Sequence, residues 1–301
     1  VVPNSGCGSW LFESQSTNLI TQSELFTSWN GYQATSNTTT SPSGNSVLFL
    51  DFEDVRMFPT TTILNGTEYT SSIYLKANKV ADVKIRDAAG NDQLVTLTTE
   101  WVRYEFTATS VSTSSNALLI DARFSQGLGA SGLEIALWGA QVEQQSYATS
   151  YIPTEGSTVT RNQDVCNSLN IPSLLGQTEG AFFIEINKSV AGAEIFSFNR
   201  STTNSFQVFT DNINYKVLSY YEGGYYNRDT SIPFTDTIKI AVSYKNNELK
   251  LYANGTEFSS SNVFTWTPNE ALANLYFNKG GYVAGNKKSE IKALAVWKEA
   301  L

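Results

Sequence analysis

The sequence predicts an all-β protein of two sandwich domains. Three observations carry that expectation. Apolar and polar residues alternate with period two in stretch after stretch, while helical periodicity is nearly absent. Hydrophobic residues make up 41% and charged residues only 16% of the chain, and Ser, Thr, Asn and Gly fill most of the remainder, a balance common in extracellular β proteins. The length, 301 residues, exceeds what one core usually serves, and the periodicity breaks once near the middle.

In chain order, the first twenty residues are rich in Ser and Gly and read as a lead-in along the surface of the first domain (1–20). Strands of the first domain (21–165) are expected at 67–77 (TEYTSSIYLKA), 101–110 (WVRYEFTATS), 117–124 (ALLIDARF) and 133–143 (LEIALWGAQVE), with a turn at Ala89-Gly90-Asn91-Asp92. Residues 153–180 hold Pro153, Pro172 and three glycines with little periodicity, so a linker is placed at 166–178. The second domain (179–301) contains AFFIEINK, EIFSFNR, SFQVFT, YKVLSYY, TIKIAVSYK, ELKLYANG, NLYFNK and EIKALAVW. Lys245-Asn246-Asn247-Glu248 predicts a tight hairpin.

Charge and composition exclude several functions. The net charge is −8, with 16 acidic against 8 basic side chains in 1–166 and 12 of each in 167–301, so no nucleic-acid partner is expected. No apolar run reaches the ~18 residues of a membrane span, so no membrane insertion is expected. The start lacks a signal-peptide pattern, and Val1 reads as the start of a fragment or a processed product. The chain has no histidine, which removes His-based nucleophile systems and the commonest transition-metal ligand, and two cysteines cannot make a four-ligand zinc site.

Two segments carry a family resemblance. WLFESQSTNLITQSELFTSW and, later, ALWGAQVEQQSYATSYIPTEGSTVTRNQDVC resemble phage structural proteins, chiefly tail-fibre and head-fibre components, over Trp10 to Cys166. The match rests on Glu13, Gln15, Thr17, Asn18, Leu19, Trp138, Gly139, Ala140, Gln141, Glu143 and 147–153, and the middle is similar in style to jelly-roll carbohydrate-binding modules. TIKIAVSYKNNELKLYANGTEF with the closing SEIKALAVWKEAL is similar to laminin-G or concanavalin A-like modules. The resemblance implies a jelly-roll β-sandwich followed by a concanavalin A-like (laminin G-like) β-sandwich. It also implies a non-catalytic virion or extracellular fibre protein that meets a host cell-surface glycan and other virion proteins, and a homotrimer. Alternatives are a decoration protein and a polysaccharide depolymerase fragment. The Glu-x-Asp-x-x-Glu strand of glucanase-like members is absent, and the lyase-like run 276–282 lacks its histidine.

Candidate sites follow from residue chemistry. Residues 215–229 pack five tyrosines beside Asn, Arg and Asp around a Gly-Gly turn, and Tyr220, Tyr221, Tyr225, Tyr226 and Arg228 lead as glycan contacts, with alternate tyrosines expected in the core. Trp29, Tyr32 and Trp101 are further candidates, whereas Trp10, Trp138, Trp266 and Trp297 read as packing residues. Asp51, Glu53 and Asp54 are candidate ligands of a structural calcium, against the more ordinary reading of charges that keep an edge strand soluble. No cofactor is otherwise required. Cys7 and Cys166 bracket the first domain and read either as a disulfide or as a buried thiol pair.

Overall fold

The computed structural model describes residues 8–113, 117–199, 205–221, 224–262, 264, 266, 271–277 and 287–301. It is an all-β chain that divides into two compact units, residues 16–162 and residues 1–15 with 163–301. All element counts below are of the described residues.

The jelly-roll unit (16–162) stacks a five-stranded on a four-stranded sheet. The larger sheet runs, in spatial order, Ala34–Thr40, Ser46–Asp51, Glu134–Glu143, Glu68–Ala77, Val102–Thr109. The smaller runs Arg56–Met57, Leu119–Asp121, Ala81–Arg86, Asp92–Leu97. All pairs are antiparallel, so side chains alternate between faces. Ile73, Leu75, Ile135 and Leu137 from the larger sheet meet Val83, Ile85 and Ile120 from the smaller in one core. A ribbon of Ser16–Asn18 against Val159–Arg161 closes the ends of the unit onto each other.

In Glu134–Glu143 the register shifts between Trp138 and Gln141, at Gly139. Gly139 has φ of +63°, and a Cβ there would stand 3.4 Å from the rings of Tyr151 and Tyr74, so glycine suits both the conformation and the space. The bulge exchanges faces: Ala136 and Trp138 lie opposite Ile135 and Leu137, and beyond it Ala140 and Val142 return to the core while Gln141 and Glu143 point away. Trp138, read from sequence as core, therefore lies on the outer face. It is nonetheless buried, between Tyr74 (5.2 Å) and Tyr151 (4.6 Å).

The concanavalin-like unit pairs two six-stranded sheets. One runs Trp10–Phe12, Ser289–Trp297, Glu179–Ser189, Ile238–Lys245, Glu248–Ala253, Thr256–Ser261. The other runs Cys166–Ser168, Leu275–Phe277, Glu194–Phe198, Ser205–Thr210, Asn214–Tyr221, Gly224–Pro233. An aromatic centre of Phe182, Phe196, Phe198 and Phe206 packs with centroids 4.9–5.6 Å apart, extended by Tyr244, Phe264 and Trp266. The hairpin predicted at 245–248 forms, with Asn247 at φ +63° in the turn.

Two local expectations differ. The lead-in segment divides: Trp10–Phe12 adds a strand beside Ser289–Trp297, with Phe12 stacked on Phe277 at 5.3 Å, and Ser16–Asn18 belongs to the jelly roll. The stretch placed as a linker carries an edge strand, Cys166–Ser168, and a 3-10 turn, Pro172–Leu174. Both are too short to show periodicity, and their pairing partners lie about a hundred residues or more away. Trp266 is a packing residue as expected, but Trp10 and Trp297 are 48% and 44% exposed.

Candidate functional site

The tyrosine hairpin consists of Asn214–Tyr221 and Gly224–Pro233, paired in the second sheet of the concanavalin-like unit. Its expected turn at Gly223-Gly224 lies partly outside the described residues. Antiparallel register decides which rings share a face: Tyr220 opposes Tyr225, and Ser219 opposes Tyr226. Tyr215 and Val217 belong to the core, so Tyr221 and Tyr226 share that inward side, and Tyr220 and Tyr225 point outward.

The five candidates thus form two groups. Tyr225 is 64% exposed and its ring lies 5.9 Å from that of half-buried Tyr220, beside exposed Asn227. Inward, Tyr221 packs on Phe264 at 5.1 Å, and Tyr226 donates a 2.6 Å hydrogen bond to the carbonyl of Ser260. Arg228 covers the Tyr226 ring at 3.6 Å and donates to Ser259 Oγ. A cation over a ring, anchored at its nitrogen, is a strut between strands.

Below the pair, Lys216 bridges Asp229 (2.6 Å) and Asp211 (2.9 Å). The N–H groups of Asn214 and Ile213, aided by Lys216, hold the Asp211 carboxyl down at about 2. The outward face therefore offers an exposed ring, a second ring behind it, an amide and fixed charges.

The remaining sequence candidates have other roles. Trp29 is buried in the jelly-roll core, edge-on to Phe26, and its indole N–H donates to the Gln22 carbonyl; it is not available as a contact. Tyr32 is half-buried and lines a hollow of about 240 Å³. Trp101 donates to the Thr40 carbonyl at 2.7 Å. Asp51 accepts from the Glu53 N–H, Glu53 from Gly132 N–H, and Asp54 from Phe124 N–H. The three carboxylates are thus spent on separate backbone donors, and among the described residues no three His, Cys, Asp or Glu gather as a metal site. Cys166 is exposed, though partial burial raises its thiol pKa; Cys7 lies outside the described residues. So do residues 278–282 of the lyase-like run.

Three phenols have strongly raised pKa values, each chiefly through burial. Tyr215 donates to the carbonyls of Phe234 and Asp236, and Tyr244 to that of Gly176. Tyr151 shares a 2.6 Å hydrogen bond with Ser23 and donates to Glu24. Such phenols stay protonated; Tyr215 and Tyr244 hold backbone carbonyls in place, and Tyr151 ties two side chains of the segment after Ile20.

Three of the motif residues behind the fibre resemblance, Asn18, Gln141 and Glu143, anchor a buried polar network. Asn18 donates to the carbonyls of Ala140 and Ile152 and accepts from the N–H groups of Ile20 and Val142. Gln141 accepts from Ile152 N–H, and Glu143 accepts from Ser16 and from both the N–H and hydroxyl of Thr149. These groups have no solvent exposure to speak of and staple the end segments to the Glu134–Glu143 strand.

No protein-family model matches the chain, and no curated protein matches it. Solved structures similar to it include the receptor binding domain of botulinum neurotoxin C/D mosaic serotype, 14% identical with a TM-score of 0.37 over 46% of this chain and 38% of that one. Domain 4 of AbnA, a GH43 extracellular arabinanase from Geobacillus stearothermophilus, in complex with arabinotriose, is 17% identical with a TM-score of 0.38 over 52% of this chain and 76% of that one. Mouse laminin alpha1 chain domains LG4-5 are 8% identical with a TM-score of 0.32 over 98% and 90%. The chain thus spans well under half the length of the first of these.

Proposed function

We propose that the protein is a non-catalytic, glycan-binding protein of the fibre or adhesin type, and that the outward face of the tyrosine hairpin is its contact surface. The observation that supports this most is the pair Tyr220–Tyr225, with Tyr225 64% exposed and no core role for its ring. Sugar rings present C–H faces that pack on flat side chains, and a tyrosine supplies that area with little entropy to lose and a hydroxyl to spare. Asn227 and the Lys216–Asp229 pair on the same face supply donors and acceptors for hydroxyls.

A binding role also accounts for the chemistry of the chain. It has no histidine, and the phenols with raised pKa values are engaged in holding the fold. The motif resemblance to phage fibre components supports a place in a virion, among other virion proteins and against a host surface. No helix among the described residues is long and apolar enough to cross a membrane.

A glycan array probed with the intact protein tests the reading. Tyr225→Ala is expected to lose about 1–2 kcal/mol of binding to the glycans the native protein retains, with an unchanged melt. Tyr221→Ala, on the inner face, is expected to lower the melt instead. Equal binding by native protein and Tyr225→Ala would move the site elsewhere. Release of reducing ends from any retained polysaccharide would replace the binding role with an enzymatic one.

A further inference from the structure

The segment after Ile20 runs along one edge of the jelly-roll unit, held by Gly156 N–H on the Thr21 carbonyl (2.7 Å) and a bridge between Gln22 and Glu155. Three hollows follow one another along it. The middle one, about 490 Å³, is lined by Gln22, Glu24, Leu25, Pro153, Thr154 and Glu155. A hollow of about 200 Å³ shares Gln22 and continues to Trp29 and Pro59. That of about 240 Å³ shares Glu24 and Leu25 and continues to Tyr32 and Leu48.

Among the described residues no basic side chain lines any of the three. Glu24 accepts one hydrogen bond, from Tyr151, and the Glu155 carboxylate has neither a hydrogen bond nor an ion pair among the described residues. Both Glu24 and Glu155 line the middle hollow, where the bridge between Gln22 and Glu155 brings the two segments side by side. Beside them Leu25 is 53% exposed and Pro153 is exposed. The unit as a whole carries 14 acidic and 8 basic side chains in 16–162.

This combination is complementary to a cation on an apolar stem. A lysine side chain lays its methylenes on apolar surface while its ammonium reaches carboxylates. A sugar would find no aromatic face in the middle hollow, and hollows in series suit an extended chain better than a single ring. We propose that this edge of the jelly roll binds an extended, lysine-bearing segment of a partner protein, with an ammonium group in the hollow flanked by Glu24 and Glu155. The proposal is independent of the glycan surface on the other unit.

The full chain is titrated with a fluorescein-labelled hexapeptide of alternating lysine and alanine, capped at its C-terminus. Saturable binding is expected, weakening as salt rises from about 50 to about 300 mM and at least about tenfold in E24Q/E155Q. The control E68Q/E100Q removes the same charge from exposed carboxylates of the same unit and is expected to leave affinity nearly unchanged. Should the double variant melt early, E155Q alone serves, because that carboxylate holds nothing in the fold. Absence of saturable binding, or equal weakening by the control pair, overturns the proposal. So does glucosamine binding that needs Glu24 and Glu155 when the peptide does not bind, which would assign the ammonium group to a sugar.

Discussion

Asn18 shows how a single side chain can organise a sandwich. Its amide satisfies two carbonyls and two N–H groups on three segments, without solvent contact. Asn18→Ala would strand all four in a place water cannot reach, and each unpaired buried group costs about 1–3 kcal/mol, relaxation recovering part of it. A loss of roughly 3 kcal/mol or more is expected, seen as a fall of about 6–12 °C in the melt of a unit this size. Asp211 acts through pH. Its folded pKa of about 2 lies below the usual ~3.9, so its contribution is fully present above ~4 and is lost as pH falls from there through about 2. Asp211→Asn should flatten the acid limb of the stability profile between those values and leave it unchanged in shape above pH 5; an acid limb that stays as steep would show that other carboxylates carry it.

At the scale of elements, short strands do more than their length suggests. Trp10–Phe12 supplies an edge of the first concanavalin-like sheet, and Phe12 fills a slot against Phe277 in the same core. Removing a buried phenylalanine leaves a cavity, so Phe12→Ala is expected to cost about 3–5 kcal/mol. Hydrogen exchange should locate the loss in the strands Ser289–Trp297 and Leu275–Phe277, and protection lost instead in the jelly-roll strands would contradict the placement. The tyrosine hairpin follows the same logic. Its pairing register, rather than its composition, sends Tyr220 and Tyr225 outward and Tyr221 and Tyr226 inward.

For the whole molecule, charge is the governing quantity. The net charge is −8 at neutral pH and the isoelectric point about 4.7. Self-repulsion vanishes there, so light scattering is expected to peak near that pH, and a native gel at neutral pH should show no retardation of DNA. A scattering maximum displaced by a unit or more would point to charges compensated by bound ions.

The all-β class, the strands Glu68–Ala77, Val102–Thr109 and Glu134–Glu143, those named in the second unit and the hairpin at Asn246-Asn247 were legible in the sequence, because alternation and turn residues are local properties carried by neighbours in the chain. The strand expected at 117–124 shortens to Leu119–Asp121 and gives way to a 3-10 turn at Phe124–Gln126, and the strands Ala34–Thr40, Ser46–Asp51, Ala81–Arg86 and Asp92–Leu97 were not singled out. The absence of histidine and the acidic balance were equally plain, since they need no geometry. Only the tertiary structure decided what depends on distant pairing. Trp10–Phe12 belongs with Ser289–Trp297, which no window of sequence can show. A one-residue bulge at Gly139 puts Ala140 and Val142 in the core on the side opposite Trp138, so the alternation that joins Trp138 to them in the sequence does not hold in the fold; a slip of that kind reverses every later side chain. Trp29 was lost to the core, and Asp51, Glu53 and Asp54 were taken up by separate loops, because a backbone N–H in reach competes for a carboxylate that the sequence alone leaves free. The hollow lined by Glu24 and Glu155 was invisible for the same reason: the two residues stand 131 positions apart and come to one hollow only where the ends of the jelly roll are stapled together.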